Sequence, residues 1–211
     1  MRADVVDLYH GDVVTDFHAV AKAGVKGIIH KATQGIGVTD RAYAERRKMA
    51  ADAGLLWGAY HFNTGEPVAS QVQHFLDAAA PDDHTLMALD FEDNRHSQMD
   101  LGEARAFLAR LDAALGRRSV IYSGNRLKEL LGSQVDKFFG AHRLWLAQYG
   151  PAARPQASWA KPWLWQFTGD GIGPQPHSIP GITTHGIDVN QYSGDPAKLA
   201  ADWAGAPVLT S

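Results

Sequence analysis

Short apolar runs recur along the chain. Each ends in a polar tip, and most in the first half are followed by a stretch with helical period. The runs at 3–10 (ADVVDLYH), 26–33 (KGIIHKAT), 56–62 (LWGAYHF) and 85–92 (TLMALDFE) predict strands. Four more follow at 119–124 (SVIYSG), 143–149 (RLWLAQY), 162–167 (PWLWQF) and 185–192 (HGIDVNQY). Between the early runs the pattern predicts helices. Residues 67–80 place Val68, Val72, Phe75 and Ala79 on one face, with Pro67 in the first turn. Residues 100–116 open with Asp100 and Glu103 at capping-box spacing and stop at Gly116. A third helix is expected from Asp40 to Gly54.

Past residue 140 the texture changes. Three strand candidates follow without a convincing helix between them, and GPAARPQAS and GDGIGPQPHSIPG are turn-rich connectors. The expected fold class is therefore α/β: an irregular (β/α) TIM-like barrel whose closing strands are hairpin-like, with few helices. A doubly wound open sheet is the structural rival. One barrel domain over residues 1–203 and a short C-terminal tail over 204–211 are expected.

Composition narrows the function. The chain has 211 residues, 45% of them hydrophobic, enough for one sizeable core. A net charge of −3 gives no support for nucleic-acid or polybasic membrane binding, and no run is long and apolar enough to span a bilayer. Cysteine is absent, which removes thiol hydrolases and thiolate metal sites. The first residues lack the apolar stretch and cleavage site of a signal peptide, and the compartment stays open. A monomer is expected.

The strand tips carry the chemistry. They end in Asp7 and Tyr9, His30 and Lys31, Tyr60 to Phe62, Asp90 and Glu92, Tyr122, Gln148 and Tyr149, Gln166, and Asp188 with Asn190. Polar and aromatic groups at eight such ends suggest the rim of a barrel site. Asp90 and Glu92 share a strand face with α-carbons roughly 6.5 Å apart. That spacing is compatible with the carboxylate pairs of both retaining and inverting glycosidases, about 5–5.5 and 6.5–9.5 Å respectively. Two acids so close should split their titration, leaving one protonated and one ionised.

Other readings weigh against single residues. A lone D-x-E is common, Tyr60, Phe62 and Tyr122 suit rim packing, and Trp145, Trp159, Trp163 and Trp165 suit core filling as well as a sugar-stacking wall. The ten histidines raise a metal-dependent hydrolase, but no H-x-H or H-E-x-x-H pairs the ligands, so no metal is expected. HKATQGIG, with Lys31, is not a phosphate loop, and no G-x-S-x-G occurs.

Taken in order, DVVDLYHGD, GIIHKATQG, WGAYHF, ALDFED, VIYSG, LWLAQY, PWLWQFT and GIDVNQYSGD resemble the motif series of the family 25 glycoside hydrolases, the Chalaropsis-type lysozymes. The resemblance runs from about Val5 to Leu199. It implies hydrolysis of the β-1,4 bond between N-acetylmuramic acid and N-acetylglucosamine in peptidoglycan, with no cofactor. It also implies Glu92 as general acid and Asp90 as its partner, assisting the substrate 2-acetamido group or acting as second carboxylate. Asp7 and Asp188 would complete an acidic floor and Tyr60 would lie beside the reacting sugar. Phe62, Tyr122, Trp145, Gln166 and Lys31 are further candidate substrate contacts. Two departures stand out: Gln34 replaces the family's usual glutamate in KATEG, and Tyr9 stands where Ser is common. A carbohydrate-binding barrel without catalysis is the alternative of another class.

Overall fold

The computed structural model describes residues 1–94 and 97–207. Nine strands form: β1 (Val5–Leu8), β2 (Gly27–Gln34), β3 (Val38–Thr39), β4 (Leu56–Phe62), β5 (Leu86–Asp90), β6 (Val120–Ser123), β7 (Arg143–Ala147), β8 (Leu164–Thr168) and β9 (Asp188–Tyr192). The helices are α1 (Phe17–Lys22), α2 (Tyr43–Asp52), α3 (Val68–Ala79), α4 (Leu101–Leu115), α5 (Asn125–Leu131), α6 (Lys137–Gly140) and α7 (Leu199–Asp202). The sheet order is β1-β9-β8-β7-β6-β5-β4-β2, and pairing of β1 with β2 closes the ring; β3 is a two-residue hairpin partner of β2. All eight expected strands are present, and closure rules out the open sheet.

Strand period explains the layers. Along β5, Leu86, Ala88 and Asp90 alternate with Met87, Leu89 and Phe91. The first set faces the barrel interior beside Val5, Ile29, Val120 and Leu164. The second packs outward with Phe75, Phe107 and Leu108 of the helices. Both faces are apolar below the rim, so the strands read as near-continuous hydrophobic runs. The barrel floor is plugged by Trp203, whose indole N–H donates to the Trp57 carbonyl at 2.7 Å. Gly27 permits that approach, since a Cβ there would meet the Trp203 ring at 2.8 Å.

The expected helix over 100–116 forms with both halves of its capping box and ends at Gly116 in the left-handed region (φ 66°). The helix expected from Asp40 starts later, at Tyr43. Asp40 is buried and accepts from the backbone N–H groups of Ala42 and His10, at 2.9 Å each, so it fixes the turn before the helix.

The closing strands have few helices between them, as expected. Among these, β9 is antiparallel to its neighbours β8 and β1, while β7 and β8 run parallel, joined by a helix-free loop. The segment expected as a tail begins as structure: Arg118 N–H donates to Ala206 O at 3.1 Å, and Arg117 bridges to Pro207. Residues 208–211 of that tail lie outside the described residues.

Candidate active site

The antiparallel sense of β9 builds the site. Parallel strands present their C-terminal ends at the rim; a reversed strand presents its first residue there. Asp188, first in β9, is therefore the register partner of Asp7, near the end of β1. Across the barrel, Asp90 ends β5 in register with Phe62 on one side and Tyr122 on the other. All four carboxylates predicted from the sequence thus come to one mouth.

Asp90 and Glu92 flank Phe91, whose ring is fully buried in the outer layer and so turns both acids inward. The loop is pinned from below. Asn63 Nδ2 donates to the carbonyls of Asp90 and Glu92, each at 3.0 Å, and Ser123 Oγ donates to Phe91 O at 2.8 Å. The two carboxyls lie close enough to couple, and Asp90 Oδ1 is buried with no hydrogen-bond partner among the described residues, both of which favour a proton on the pair. Burial, then the neighbouring Glu92 charge, pushes Asp90 far above the usual carboxylate range. Burial also raises Glu92, against the lowering effect of the adjacent Asp90. As a pair they keep one proton to higher pH than either acid would in water.

Asp7 sits in a different environment. Asn190 Nδ2 donates to its Oδ1 at 2.7 Å, and Gln166 Nε2 reaches both of its oxygens at 3.0 Å. The amide orientations are set by chemistry. Trp145 Nε1 can only donate, and it donates to Asn190 Oδ1 at 2.6 Å, so the Asn190 NH₂ must face Asp7. Tyr122 OH, which can donate or accept, donates to Gln166 Oε1 at 2.8 Å and leaves the Gln166 NH₂ facing Asp7. Two oriented amides thereby favour an ionised Asp7. Burial opposes them and pushes Asp7 up to about 7. Among the described residues Asp188 has no such donors; burial, then the Asp7 charge, raises it to about 9.

Two cavities flank these acids. The larger, of about 560 Å³, is walled by Phe62, Glu92, Tyr122, Arg126 and Tyr149. The smaller, of about 120 Å³, is walled by Asp7, Tyr9, Tyr60, Asp188 and the 184–187 loop. The larger falls in the range of small-molecule pockets. Lys31 lies beneath, 5.0 Å from the Phe62 ring centroid and donating to Gln34 Oε1 at 2.7 Å. Burial lowers its pKa, while the Asp90 charge favours its protonated form.

Of the expected substrate contacts, Phe62, Tyr122 and Tyr60 line cavities. Trp145 does not: it is 1% exposed, packed edge-on against Tyr122 at 4.4 Å, and acts on Asp7 through Asn190. Gln166 is likewise buried, under Asp7. Trp159, Trp163 and Trp165 each donate an indole N–H to a protein oxygen and are core or rim packing. His30 and His61 are buried in hydrogen bonds, His30 to Lys31 O and Arg46, and His61 to Thr33 and Gln71.

Several site residues went unrecognised or without a role. Arg126 walls the larger cavity and pairs with Asp93 at 3.1 Å; it belongs to the short α5, which no periodicity announces. Tyr149 and Asn190 were visible only as strand tips. Gly169 lets Tyr149 and Asp188 meet over its α-carbon, where any Cβ would collide with both.

A closed barrel with paired acids at its mouth, between two cavities, is the architecture of a glycosidase. The model of the Glycosyl hydrolases family 25 matches residues 6–175, and the chain belongs to that family. It is similar to Lysozyme M1 of Streptomyces globisporus, with 26% identity over 93% of this chain and 69% of that protein. A 71-residue stretch is 37% identical to an autolytic lysozyme of Clostridium acetobutylicum, covering 34% of this chain and 22% of that one. The bacterial lysozyme of Streptomyces coelicolor superposes with a TM-score of 0.82 at 25% identity, covering 94% of this chain and 95% of the other.

Proposed function

We propose that the chain is a muramidase, hydrolysing the β-1,4 bond between N-acetylmuramic acid and N-acetylglucosamine of peptidoglycan, with Glu92 as general acid. The observation that carries this reading is the pairing of buried Asp90 with Glu92, which walls the larger cavity. Glycosidic cleavage needs a proton for the leaving oxygen and a negative group near the developing positive charge. Asp90 is the more deeply placed partner, and Glu92 reaches the cavity. Passage of the proton from Asp90 to Glu92 arms Glu92, and the charge left on Asp90 is favoured by Lys31. That charge then supports the oxocarbenium-like centre directly or through the substrate's 2-acetamido group. Asp7 and Asp188 complete the acidic lining of the same mouth. The membership of the chain in the glycosyl hydrolases and its similarity to lysozymes support the substrate class.

The test is mass spectrometry of soluble fragments released from purified peptidoglycan, with EDTA present. Wild type is expected to release fragments with N-acetylmuramic acid at the reducing end. Glu92→Gln should be slower by roughly 10²–10⁴ while remaining folded. Near-normal release by the variant would remove Glu92 from the role. No release by folded wild type from several peptidoglycan types would favour a binding barrel.

A further inference from the structure

The smaller cavity has one wall that the four acids do not explain. Tyr9 follows β1, two residues beyond Asp7, and its side chain is 46% exposed while lining that cavity. A single exposed tyrosine is ordinary. This one is set on a built turn. Its N–H donates to Asp12 Oδ2 at 2.8 Å, and its carbonyl accepts from Asp12 N at 3.1 Å and from Arg46 at 2.7 Å. The ring lies over Gly11, where a Cβ would collide with ring carbons and the hydroxyl. His10 braces it edge-on at 5.2 Å, and Asp40 holds His10 through both the backbone N–H and Nδ1, each at 2.9 Å. An aromatic face is thus held toward an acidic cavity.

We propose that Tyr9 is a stacking platform for a pyranose of the glycan strand in the smaller cavity. The proposal rests on the glycan-cleaving reading of the site. A pyranose is amphipathic: its C–H face packs on an aromatic ring, and its hydroxyl edge donates to carboxylates. Tyr9 supplies the first surface, and Asp7, Asp12, Asp170 and Asp188 supply the second.

The probe is chitotetraose, the uncharged N-acetylglucosamine tetramer, titrated calorimetrically into Glu92→Gln to prevent turnover. Adding Tyr9→Ala should weaken binding about tenfold, whereas Tyr9→Phe should hold it within about twofold. Gly11→Ala, which keeps the tyrosine but displaces its ring, should also weaken binding. In the active enzyme, Tyr9→Ala should lower kcat/KM on peptidoglycan chiefly through KM, with an unshifted pH profile. Tetramer affinity independent of Tyr9, or no tetramer binding by Glu92→Gln itself, overturns the platform. Tyr9-dependent binding by a protein whose wild type releases no fragments would retain the platform and discard the hydrolase reading. Fragment release with a silent Tyr9→Ala would do the reverse.

Discussion

Replacing Trp145 by Phe removes one N–H and keeps a buried ring against Tyr122. In the native site that N–H fixes the Asn190 amide, which in turn donates to Asp7 at 2.7 Å. Without it, the buried Asn190 oxygen either stays unpaired, at a cost of about 1–3 kcal/mol, or the amide turns and offers its oxygen to Asp7. The second outcome converts a bond that favours the carboxylate into one that needs a protonated acid. A hydrogen bond to a charged group contributes about 1.5–3 kcal/mol, equivalent to about 1–2 pH units at 1.36 kcal/mol per unit. Asp7 stands at about 7 already, and the change moves it upward. If turnover requires ionised Asp7, the acidic limb of kcat/KM against pH should move up by about 1–2 units. The rate near pH 6 would fall about 10- to 100-fold and recover toward alkaline pH. The assay is clearing of a peptidoglycan suspension from about pH 4 to 10, with thermal melts alongside. An unshifted profile, or a uniform loss at every pH, would refute the orienting role of Trp145.

Gly169→Ala should reduce turnover more than about tenfold in a folded protein, because the new methyl displaces both Tyr149 and Asp188; circular dichroism and rate together check this, and an unchanged rate removes Asp188 from the reaction. Asn63→Ala strips partners from the carbonyls of Asp90 and Glu92 and from Met99 N–H, and should destabilise the fold by about 3 kcal/mol in denaturant titration. Stability should also follow pH with a definite sign. Asp7 and Asp188 are raised from 3.8 to about 7 and about 9, so their contribution is full below their unfolded value and is lost as pH rises through the folded ones. Asp40, Asp112 and Asp136 are lowered, each by hydrogen bonds that together outweigh burial, so theirs is lost on acidification. His30 and His61, lowered by burial to about 4, also work against Asp7 and Asp188 and cost stability as pH falls below 6.5. Asp188→Asn should therefore raise Tm more near pH 8 than near pH 5; an equal shift at both would contradict the buried-acid account.

The sequence by itself determined the strands, the longer helices and the acids. Leu86 to Glu92 alternates between two apolar faces and then places Asp90 and Glu92 on the inward one, so a greasy strand with acidic ends is legible from period two alone. Asp100, Glu103 and Gly116 state where α4 begins and ends, because capping is local chemistry. Four-residue helices such as α6 and α7 leave too few positions for any period, and α5 hid Arg126 for the same reason.

Tertiary structure decided the rest. Strand direction is not written in a strand's own residues, and only the antiparallel pairing of β9 shows that Asp188 opens its strand at the mouth where Asp7 sits. Trp145, Gln166 and Asn190 read as candidate sugar contacts or plain strand exits. They become a fixed set of donors around Asp7 only when β7, β8, β9 and β1 lie side by side. The protonation of the acids belongs to the same level. Burial and the charges across the barrel mouth set it, and those arise from residues far apart in the chain.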